Sequence, residues 1–225
     1  MSNVITIDGP TSSGKSSVGF TFATKIGYKF IDTGAIYRVG SLKVLKEGIN
    51  ASDEEDVAKV FNDLNILFET IAGKPKILVD AIDITESLHN PEITVIVPIV
   101  AAYKKVRDSA KKIQRRVGEK ENTVMVGRDI GSEIFPDSAL KFFLTASAEV
   151  RAKRRFEQLV EIQPSITLDF VLKQMLYRDE QDSQRSVSPL RVPEGAITID
   201  TTDKNINETV KVMMENYHKI FGEIN

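Results

Sequence analysis

The sequence predicts an α/β fold in which a parallel five-stranded sheet is flanked by helices. Short runs of apolar and β-branched residues alternate along the chain with longer segments of helical periodicity, and this alternation is typical of a parallel sheet covered by helices. The first apolar run, residues 4–7, leads through a glycine-containing turn into a helix-compatible segment at residues 16–25. The chain therefore begins as a β–α unit.

The turn after the first strand has the composition of a phosphate-binding loop. Residues 9–16 fit G-x(4)-G-K-[ST] in full. In such a loop backbone N–H groups surround phosphate oxygens, the lysine reaches the β- and γ-phosphates, and the hydroxyl of the last residue binds Mg²⁺. The strand before it and the helix after it disfavour a chance match. The predicted nucleotide-binding residues are Gly9, Pro10, Thr11, Ser12, Ser13, Gly14, Lys15, Ser16 and Ser17, with Ser16 as the metal ligand.

The elements up to residue 79 alternate in type. Residues 29–32 are predicted as the second strand and residues 35–46 as a helix. Asp53 begins an acidic amphipathic helix whose apolar residues fall at helical spacing and are predicted to pack in the core. Residues 65–68 and 77–79 flank a Gly-Lys-Pro turn and are predicted as a small β-hairpin.

The second half of the chain supplies the other core strands. Residues 93–116 are predicted to be helical for most of their length, with Pro98 near the start of the helix or kinking it. Strands are predicted at residues 123–126, 140–144 and 196–200, and a closing amphipathic helix at residues 206–221.

Composition excludes several classes of function. The 225 residues are 41% hydrophobic and 28% charged, which is typical of one globular domain with insertions. The absence of cysteine excludes disulfides and thiolate metal sites and favours the cytoplasm. A net charge of −2 argues against a nucleic-acid polymer as partner, and the immediate entry into a strand and the lack of a long apolar run predict no signal peptide and no membrane span. His89 and His218 are too far apart in sequence to suggest a metal site.

Arginine-rich segments point to phosphoryl transfer. The strand at residues 123–126 ends in Gly127-Arg128-Asp129, a basic cluster occupies residues 151–155, and Arg178, Asp182 and Arg185 recur at near-helical spacing. Guanidinium groups stabilise the charge that develops on a transferring phosphoryl group. A single basic run is more often a solvated helix face, but together with the phosphate-binding loop these segments favour a P-loop kinase with an insertion between its second and third strands.

Seven blocks of the chain, in order and spacing, resemble the bacterial cytidylate kinase family. They are residues 5–10 (ITIDGP), 32–38 (DTGAIYR), 127–131 (GRDIG), 135–137 (FPD), 143–147 (FLTAS), 151–155 (RAKRR) and the Arg178-to-Leu190 segment. The resemblance implies one nucleoside-monophosphate kinase domain. Its core would comprise residues 1–35, 109–150 and 168–225, its monophosphate-binding insertion about 36–108 with a small β-sheet, and its short lid about 151–167.

The resemblance also implies roles for individual residues in transfer from ATP–Mg²⁺ to CMP or dCMP. Arg38 and Arg128 would grip the acceptor phosphate, Arg107 and Asp129 would reach the base edge, Arg178 and Asp182 would recognise the sugar hydroxyls, Thr33 and Tyr37 would complete the acceptor wall, and Arg185 with the lid residues Arg151 and Arg155 would bridge the phosphate chains. Lys15, Arg38, Arg128, Arg155 and Arg185 are the predicted catalytic group. A structural ion pair is the alternative for each arginine.

Three departures from the family pattern leave the acceptor base open. Pro98 occupies the aligned position of a serine that usually contacts cytosine, Val126 replaces a common aspartate, and residues 83–89, including His89, lack a usual arginine. A pocket that loses hydrogen-bonding groups loses discrimination, so relaxed base choice is predicted, with CMP still favoured.

Two alternatives and one ambiguity remain at this level. The chain could phosphorylate UMP, dUMP or dTMP, or it could be a nucleotide sensor that binds ATP without transfer. Asp8 and Asp32 end strands beside the loop and could orient Mg²⁺ through water or cap a turn. A monomer is the family-like expectation.

Overall fold

The computed structural model describes residues 3–223, without the side chain of His89. Residues 1–2 and 224–225, which the sequence assigned to the core, lie outside the described residues. Its strands are, in chain order, β1 (Val4–Asp8), β2 (Lys29–Asp32), β3 (Ile66–Ile71), β4 (Lys74–Val79), β5 (Ile82–Asp83), β6 (Thr123–Val126), β7 (Leu140–Thr145) and β8 (Ile197–Asp200). Five of them form a parallel sheet in the order β2-β6-β1-β7-β8. The predicted fold class and all five core strands are confirmed.

Helices cover both faces of this sheet. They are α1 (Lys15–Ile26), α2 (Gly34–Lys46), α3 (Glu54–Asn62), α4 (Pro91–Val100), α5 (Lys104–Gly118), α6 (Ala148–Leu159), α7 (Leu168–Gln184) and α8 (Ile206–Phe221). One apolar cluster joins the sheet to α1 and α8 through Phe22, Phe142 and Met213, and another joins it to α2, α3 and α5. Within residues 3–223, no helix combines the length and hydropathy needed to cross a bilayer.

The inserted small sheet has one more strand than predicted. β3 and β4 form the predicted hairpin, and the two-residue strand β5 pairs antiparallel with the end of β4. Phe68 and Ile77 face each other and are buried against the core. The tight turns require left-handed backbone, with φ of 51° at Ala72, 50° at Asp80 and 65° at Ala81. β5 escaped prediction because two residues are too short to show an alternating pattern.

The helical segment predicted at residues 93–116 is two helices. α4 ends at Val100 and α5 begins at Lys104, so residues 101–103 separate them. Pro98 lies inside the last turn of α4, not near the start of a long helix. Proline has no N–H for the helical ladder and its ring crowds the preceding turn, so Pro98 weakens the turn of α4 that precedes it.

Candidate active site

A cleft of about 1040 Å³ opens where the core strands reach their carboxyl ends, the usual ligand position in open α/β sheets. Its lining includes these residues singled out from the sequence: Thr11, Ser12, Ser13, Gly14, Lys15, Ser16, Ser17, Thr33, Tyr37, Arg38, Arg107, Arg128, Asp129, Arg155, Arg178, Asp182 and Arg185. Of the predicted site residues, Gly9, Pro10 and Arg151 are missing from this lining. The fold thus brings segments from the whole length of the chain into one cleft.

The loop between β1 and α1 depends on glycine at its two ends. Gly9 has φ of 148°, and a Cβ there would lie 2.0 Å from the Leu144 carbonyl oxygen. Gly14 has φ of 90° and precedes α1 directly. Glycine adopts such backbone readily and allows the close approach. The loop therefore places the N-terminus of α1 at the cleft, where its free N–H groups favour an anion.

Lys15 lies folded back on the loop. Its Nζ donates to the Pro10 carbonyl at 2.5 Å and to Ser13 Oγ at 3.2 Å. Burial, followed by the nearby positive charge of Arg128, lowers the pKa of Lys15 well below its ordinary value. A phosphate in the loop would supply the negative charge that this buried amine lacks.

Ser16 and Asp32 place two oxygen ligands together beside the loop. Ser16 Oγ donates to Asp32 Oδ2 at 2.6 Å, while Asp32 Oδ1 accepts from the Gly34 N–H at 3.0 Å. Among the described side chains, no group of three or more acidic or histidine residues converges on a metal position. Mg²⁺ commonly binds one or two protein oxygens together with waters and substrate phosphates, and this pair fits that pattern.

Val126 is among the residues that line the cleft, although its side chain packs toward α1. It is the register partner of Asp32 at the end of β6, and its side chain packs in the α1 cluster, where a Cβ on Gly19 would come within 2.7 Å of it. The Val126 side chain thus packs against α1, the helix that follows the phosphate-binding loop. The Val126 carbonyl accepts a hydrogen bond from Thr33 Oγ1 at 2.8 Å. Thr33 therefore lines the cleft, but its hydroxyl donates to the sheet.

Asp8 is a buried turn cap. Its carboxylate oxygens accept hydrogen bonds from the backbone N–H groups of Ile130 and Gly131 at 2.8 and 2.7 Å. Burial, only partly offset by these two hydrogen bonds, raises its pKa to about 6. With both oxygens engaged inside the protein, Asp8 is placed as the cap foreseen in the sequence and not as the alternative metal-orienting residue.

Four arginines meet in the cleft, and one of them, Arg128, is ion-paired with Asp182. They are Arg38, Arg128, Arg155 and Arg178. Burial lowers the pKa of Arg178 to about 10, with Arg128 as the next cause, and burial followed by Arg38 lowers that of Arg155. Arg178 Nε is buried without a hydrogen-bond partner. Like charges held together in a cleft form an anion site.

Beside this cluster, arginines and aspartates alternate in a continuous ion-pair network. Arg107 pairs with Asp129 at 2.5 Å, Arg185 lies 3.9 Å from Asp129 and 3.4 Å from Asp182, and Asp182 pairs with Arg128 at 3.1 Å. Burial alone would raise the pKa of Asp182, but Arg128 and the neighbouring arginines lower it overall. The network links α5, the turn after β6 and the end of α7.

Tyr37 forms the apolar side of this region. Its ring packs 6.2 Å from that of Phe61 and lies 5.7 Å from the Arg107 guanidinium, a cation–π distance. Burial raises its pKa above the ordinary value. The ring thereby holds Arg107 toward Asp129.

Arg151 is placed differently from the other lid arginines. It is buried, pairs with Asp179 at 2.5 Å and donates to the carbonyls of Ala146 and Thr11. Its side chain does not line the cleft, so the bridging role inferred from the family blocks has no support in its position. Arg155 does line the cleft, where its Nη1 bonds Gln158.

The position of Pro98 also differs from the expectation. Pro98 is exposed and does not line the cleft; Val97 and Ala101, which share one face of α4, do. Residues three or four apart share a helix face whereas adjacent ones do not, so the side chain of Pro98 points away from the face of α4 that lines the cleft. The prediction about His89 concerns a side chain outside the described ones.

Sequence reasoning missed the part of the cleft formed after β8. Thr201, Lys204 and Asn205 line it, and Arg154 donates to Thr201 Oγ1 at 3.0 Å and to the Thr201 carbonyl at 2.6 Å. The one local signal, Asn205 with Glu208, is a capping box that marks the start of α8 and not a ligand site.

Known proteins with similar sequences point to a single family. The family model of cytidylate kinase matches residues 5–219. A cytidylate kinase from Caldicellulosiruptor saccharolyticus is 39% identical over 218 residues, which is 97% of this chain and 96% of that protein. Another, from Caldanaerobacter subterraneus subsp. tengcongensis, is 42% identical over 215 residues, 96% of this chain and 94% of that protein.

Among solved structures, one comparison supports the fold alone. An uncharacterized protein from Eubacterium ventriosum is 13% identical and superposes with a TM-score of 0.51 over 95% of this chain and 97% of that one.

Proposed function

This chain belongs to the cytidylate kinase family, and we propose that it transfers the γ-phosphoryl group of ATP to CMP and dCMP, giving CDP and dCDP. One observation carries the proposal. A phosphate-binding loop and a cluster of incompletely paired arginines line the same cleft, so two anionic groups can be held next to each other. Simple hydrolysis would not need a second anion site of this size.

The donor nucleotide would bind on residues 9–17. The free N–H groups at the start of α1 and the Lys15 ammonium would hold the β- and γ-phosphates. Ser16 would be a direct ligand of Mg²⁺, and Asp32, already bonded to the Ser16 hydroxyl, would hold one of the waters of the ion. A bound Mg²⁺ neutralises charge on the phosphate oxygens and fixes their orientation.

The acceptor would bind between Tyr37 and the turn after β6. Arg38 and Arg128 would grip its phosphate, since guanidinium groups suit bidentate contact with phosphate. Arg107 and Asp129 would reach the base edge, and Arg178 with Asp182 the sugar hydroxyls. Arg155 and Arg185 would bridge the two phosphate chains. The apolar face of Val97 and Ala101 would border the nucleotide.

Catalysis would rest on positioning and charge neutralisation. A phosphate monoester is already largely ionised near neutral pH, so its oxygen needs no strong general base. The P–O bond between the γ-phosphorus and the β,γ-bridging oxygen breaks as an acceptor phosphate oxygen forms the new bond in line with it, and ADP leaves with the bridging oxygen. Lys15 and the arginines stabilise the charge on the equatorial oxygens.

We further propose that residues 36–108 act as the acceptor-binding insertion and residues 151–167 as a lid. Within this lid, Ala152 packs against Val171 and Met175 of α7 in a small apolar cluster separate from the two that join the sheet to its helices. A monomeric state and a cytoplasmic location stay predictions from the sequence.

The comparisons do not favour the alternatives of another pyrimidine acceptor or a non-catalytic sensor, because similar proteins over nearly the whole chain are cytidylate kinases. A coupled ADP-release assay with ATP–Mg²⁺ against CMP, dCMP, UMP, dUMP, dTMP, AMP and GMP tests the proposal. Turnover confined to CMP and dCMP is expected. Similar kcat/KM for UMP or dTMP would show a broadened pocket, and no turnover with any acceptor would contradict kinase function.

A further inference from the structure

The carboxylate of Asp8 stands between the two halves of the cleft. Asp8 is the last residue of β1 and directly precedes Gly9, where the phosphate-binding loop begins. It is fully buried, so no solvent reaches the carboxylate. Asp8 precedes the loop proposed to bind ATP, whereas its side-chain hydrogen bonds run to the turn proposed to bind the acceptor nucleotide.

Those hydrogen bonds fix the turn that carries Arg128 and Asp129. The N–H groups of Ile130 and Gly131 begin a single π-helical turn and have no preceding helical carbonyl to bond. They donate instead to Oδ1 and Oδ2 of Asp8, at 2.8 and 2.7 Å. Each oxygen therefore holds one of two successive peptide groups, which sets both the place and the orientation of the turn.

A second attachment lies at the other end of the same turn. The Gly127 N–H donates to the Ile7 carbonyl at 3.0 Å. The turn also lies directly against β1, because a Cβ on Gly131 would be 2.7 Å from Thr6 Oγ1. Arg128 and Asp129 thus lie between two attachments to β1, the strand that leads into the phosphate loop.

We propose that Asp8 is a positioning residue, which holds the acceptor-binding turn of residues 127–131 at a fixed place relative to the phosphate-binding loop. This inference rests on the proposed function, in which Arg128 contacts the acceptor phosphate. Asp8 touches neither substrate; it acts through Arg128 and Asp129. Asp8 would thus affect the relative position of the two reacting groups, because the donor and the acceptor bind to segments that Asp8 joins.

Substitution by asparagine isolates this role with little change in shape. The asparagine amide keeps one acceptor oxygen but presents an NH₂ group to one of the two N–H donors. One buried N–H then loses its partner and the turn shifts. A displacement near 1 Å at a reacting group can cost about 100-fold in rate. The donor site is affected less, because the hydrogen bonds of the Asp8 side chain run to Ile130 and Gly131 and its interaction with the phosphate-binding loop is a weaker electrostatic one with Lys15.

The experiment compares the full chain with Asp8→Asn and with Met213→Ala. Met213 is fully buried in the α1 and α8 cluster, so its truncation lowers stability without touching the turn. For each protein, kcat and KM for CMP are measured at saturating ATP–Mg²⁺, and the Kd for ATP is measured by calorimetry without acceptor. Circular dichroism and thermal unfolding report whether each variant is folded.

We expect Asp8→Asn to raise KM for CMP about tenfold or more and to lower kcat, with the Kd for ATP within about twofold of the unaltered chain. Met213→Ala should unfold at a lower temperature with KM for CMP unchanged. An Asp8→Asn enzyme that loses stability but keeps its KM for CMP would overturn the inference, as would equal weakening of ATP and CMP binding. Failure of the unaltered chain to phosphorylate CMP would overturn the proposed function and this inference together. Because the unaltered chain is assayed separately from Asp8→Asn, this outcome is distinguishable from failure of the inference alone.

Discussion

Ser16, in the first turn of α1, and Asp32, at the end of β2, are joined by a 2.6 Å hydrogen bond from hydroxyl to carboxylate. The neighbouring strand β6 ends at the same level in Val126, which supplies no polar group. Asp32 is consequently the carboxylate that lies in contact with the hydroxyl proposed to bind Mg²⁺.

Asp32→Asn is expected to weaken the dependence of ATP binding on Mg²⁺. The neutral amide keeps the cap on Gly34 but removes the charge next to Ser16, so the gain in ATP affinity on adding Mg²⁺ should shrink, as measured by calorimetry with and without the ion. Asp200→Asn is the matched control, because Asp200 also ends a strand and caps Thr202, at 2.8 Å. An unchanged Mg²⁺ effect in Asp32→Asn would exclude the role.

Lys15→Ala should reduce kcat about 10²- to 10³-fold, the usual cost of removing one group that stabilises transition-state charge. ATP affinity should fall far less, because the loop N–H groups remain. The comparison is between single-turnover rate and calorimetric Kd, with the exposed Lys59→Ala as control. Parallel losses of rate and affinity would instead favour the nucleotide-sensor alternative.

Ala81→Gly should stabilise the protein. Ala81 has φ of 65° and follows Asp80 at 50°, the arrangement of a type I′ turn, which favours Asp-Gly. Relief of left-handed strain should exceed the added unfolded-state entropy by about 0.5–1 kcal/mol. Urea unfolding measures the change, and the reciprocal Gly73→Ala in the other hairpin turn, where φ is 72°, should destabilise. The same sign for both variants would refute this account.

Gly40→Ala should destabilise although alanine is the better helix former. A Cβ at Gly40 would lie 2.1 Å from Phe61 Cζ, and overpacking costs about 1–3 kcal/mol against a propensity gain of about 1 kcal/mol. Chemical denaturation measures the net change in unfolding free energy. Combining Gly40→Ala with Phe61→Leu should recover part of the loss; strict additivity would show that the contact is not its cause.

The unfolding free energy should change with pH as the Asp8 carboxyl loses its proton. Burial raises its pKa from 3.8 to about 6 in the fold. Since the folded pKa exceeds the unfolded one, the contribution of this carboxyl is fully present below pH 3.8 and is lost as pH rises through 6. The unfolding free energy of the unaltered chain minus that of Asp8→Asn should therefore fall by about 1.4 kcal/mol between pH 5 and 7.5. A constant difference would contradict the shifted pKa.

Local patterns predicted the elements whose causes are local. The helix at residues 206–221 was predicted with its observed bounds, because a capping residue and an amphipathic period both mark it. The division between α4 and α5 has no comparable marker, because residues 101–103 contain neither glycine nor proline. β5 exists only because β4 offers it an edge.

For the site, the sequence could indicate which residues meet but not how their polar atoms are used. Arg151 and Arg155 are alike in the linear chain and lie one helical turn apart on the same side of α6, yet Arg151 is buried in an ion pair with Asp179 and Arg155 lines the cleft. Helix phase places Val97, and not Pro98, in the lining of the cleft. The lining after β8 had no signal, because Thr201 is placed by pairing with β7.

The strand order also decides when this protein can fold during synthesis. β1 is the middle strand, and its partners β6 and β7 begin at Thr123 and Leu140. While the ribosome makes the first hundred residues, β1 has neither of its partner strands, so the phosphate-binding loop is not yet supported by a sheet. The hairpin of β3 and β4, in contrast, can form as soon as both strands have been made. Contacts this distant in sequence slow folding, so the nascent amino-terminal strand must stay unpaired until more than half of the chain has emerged.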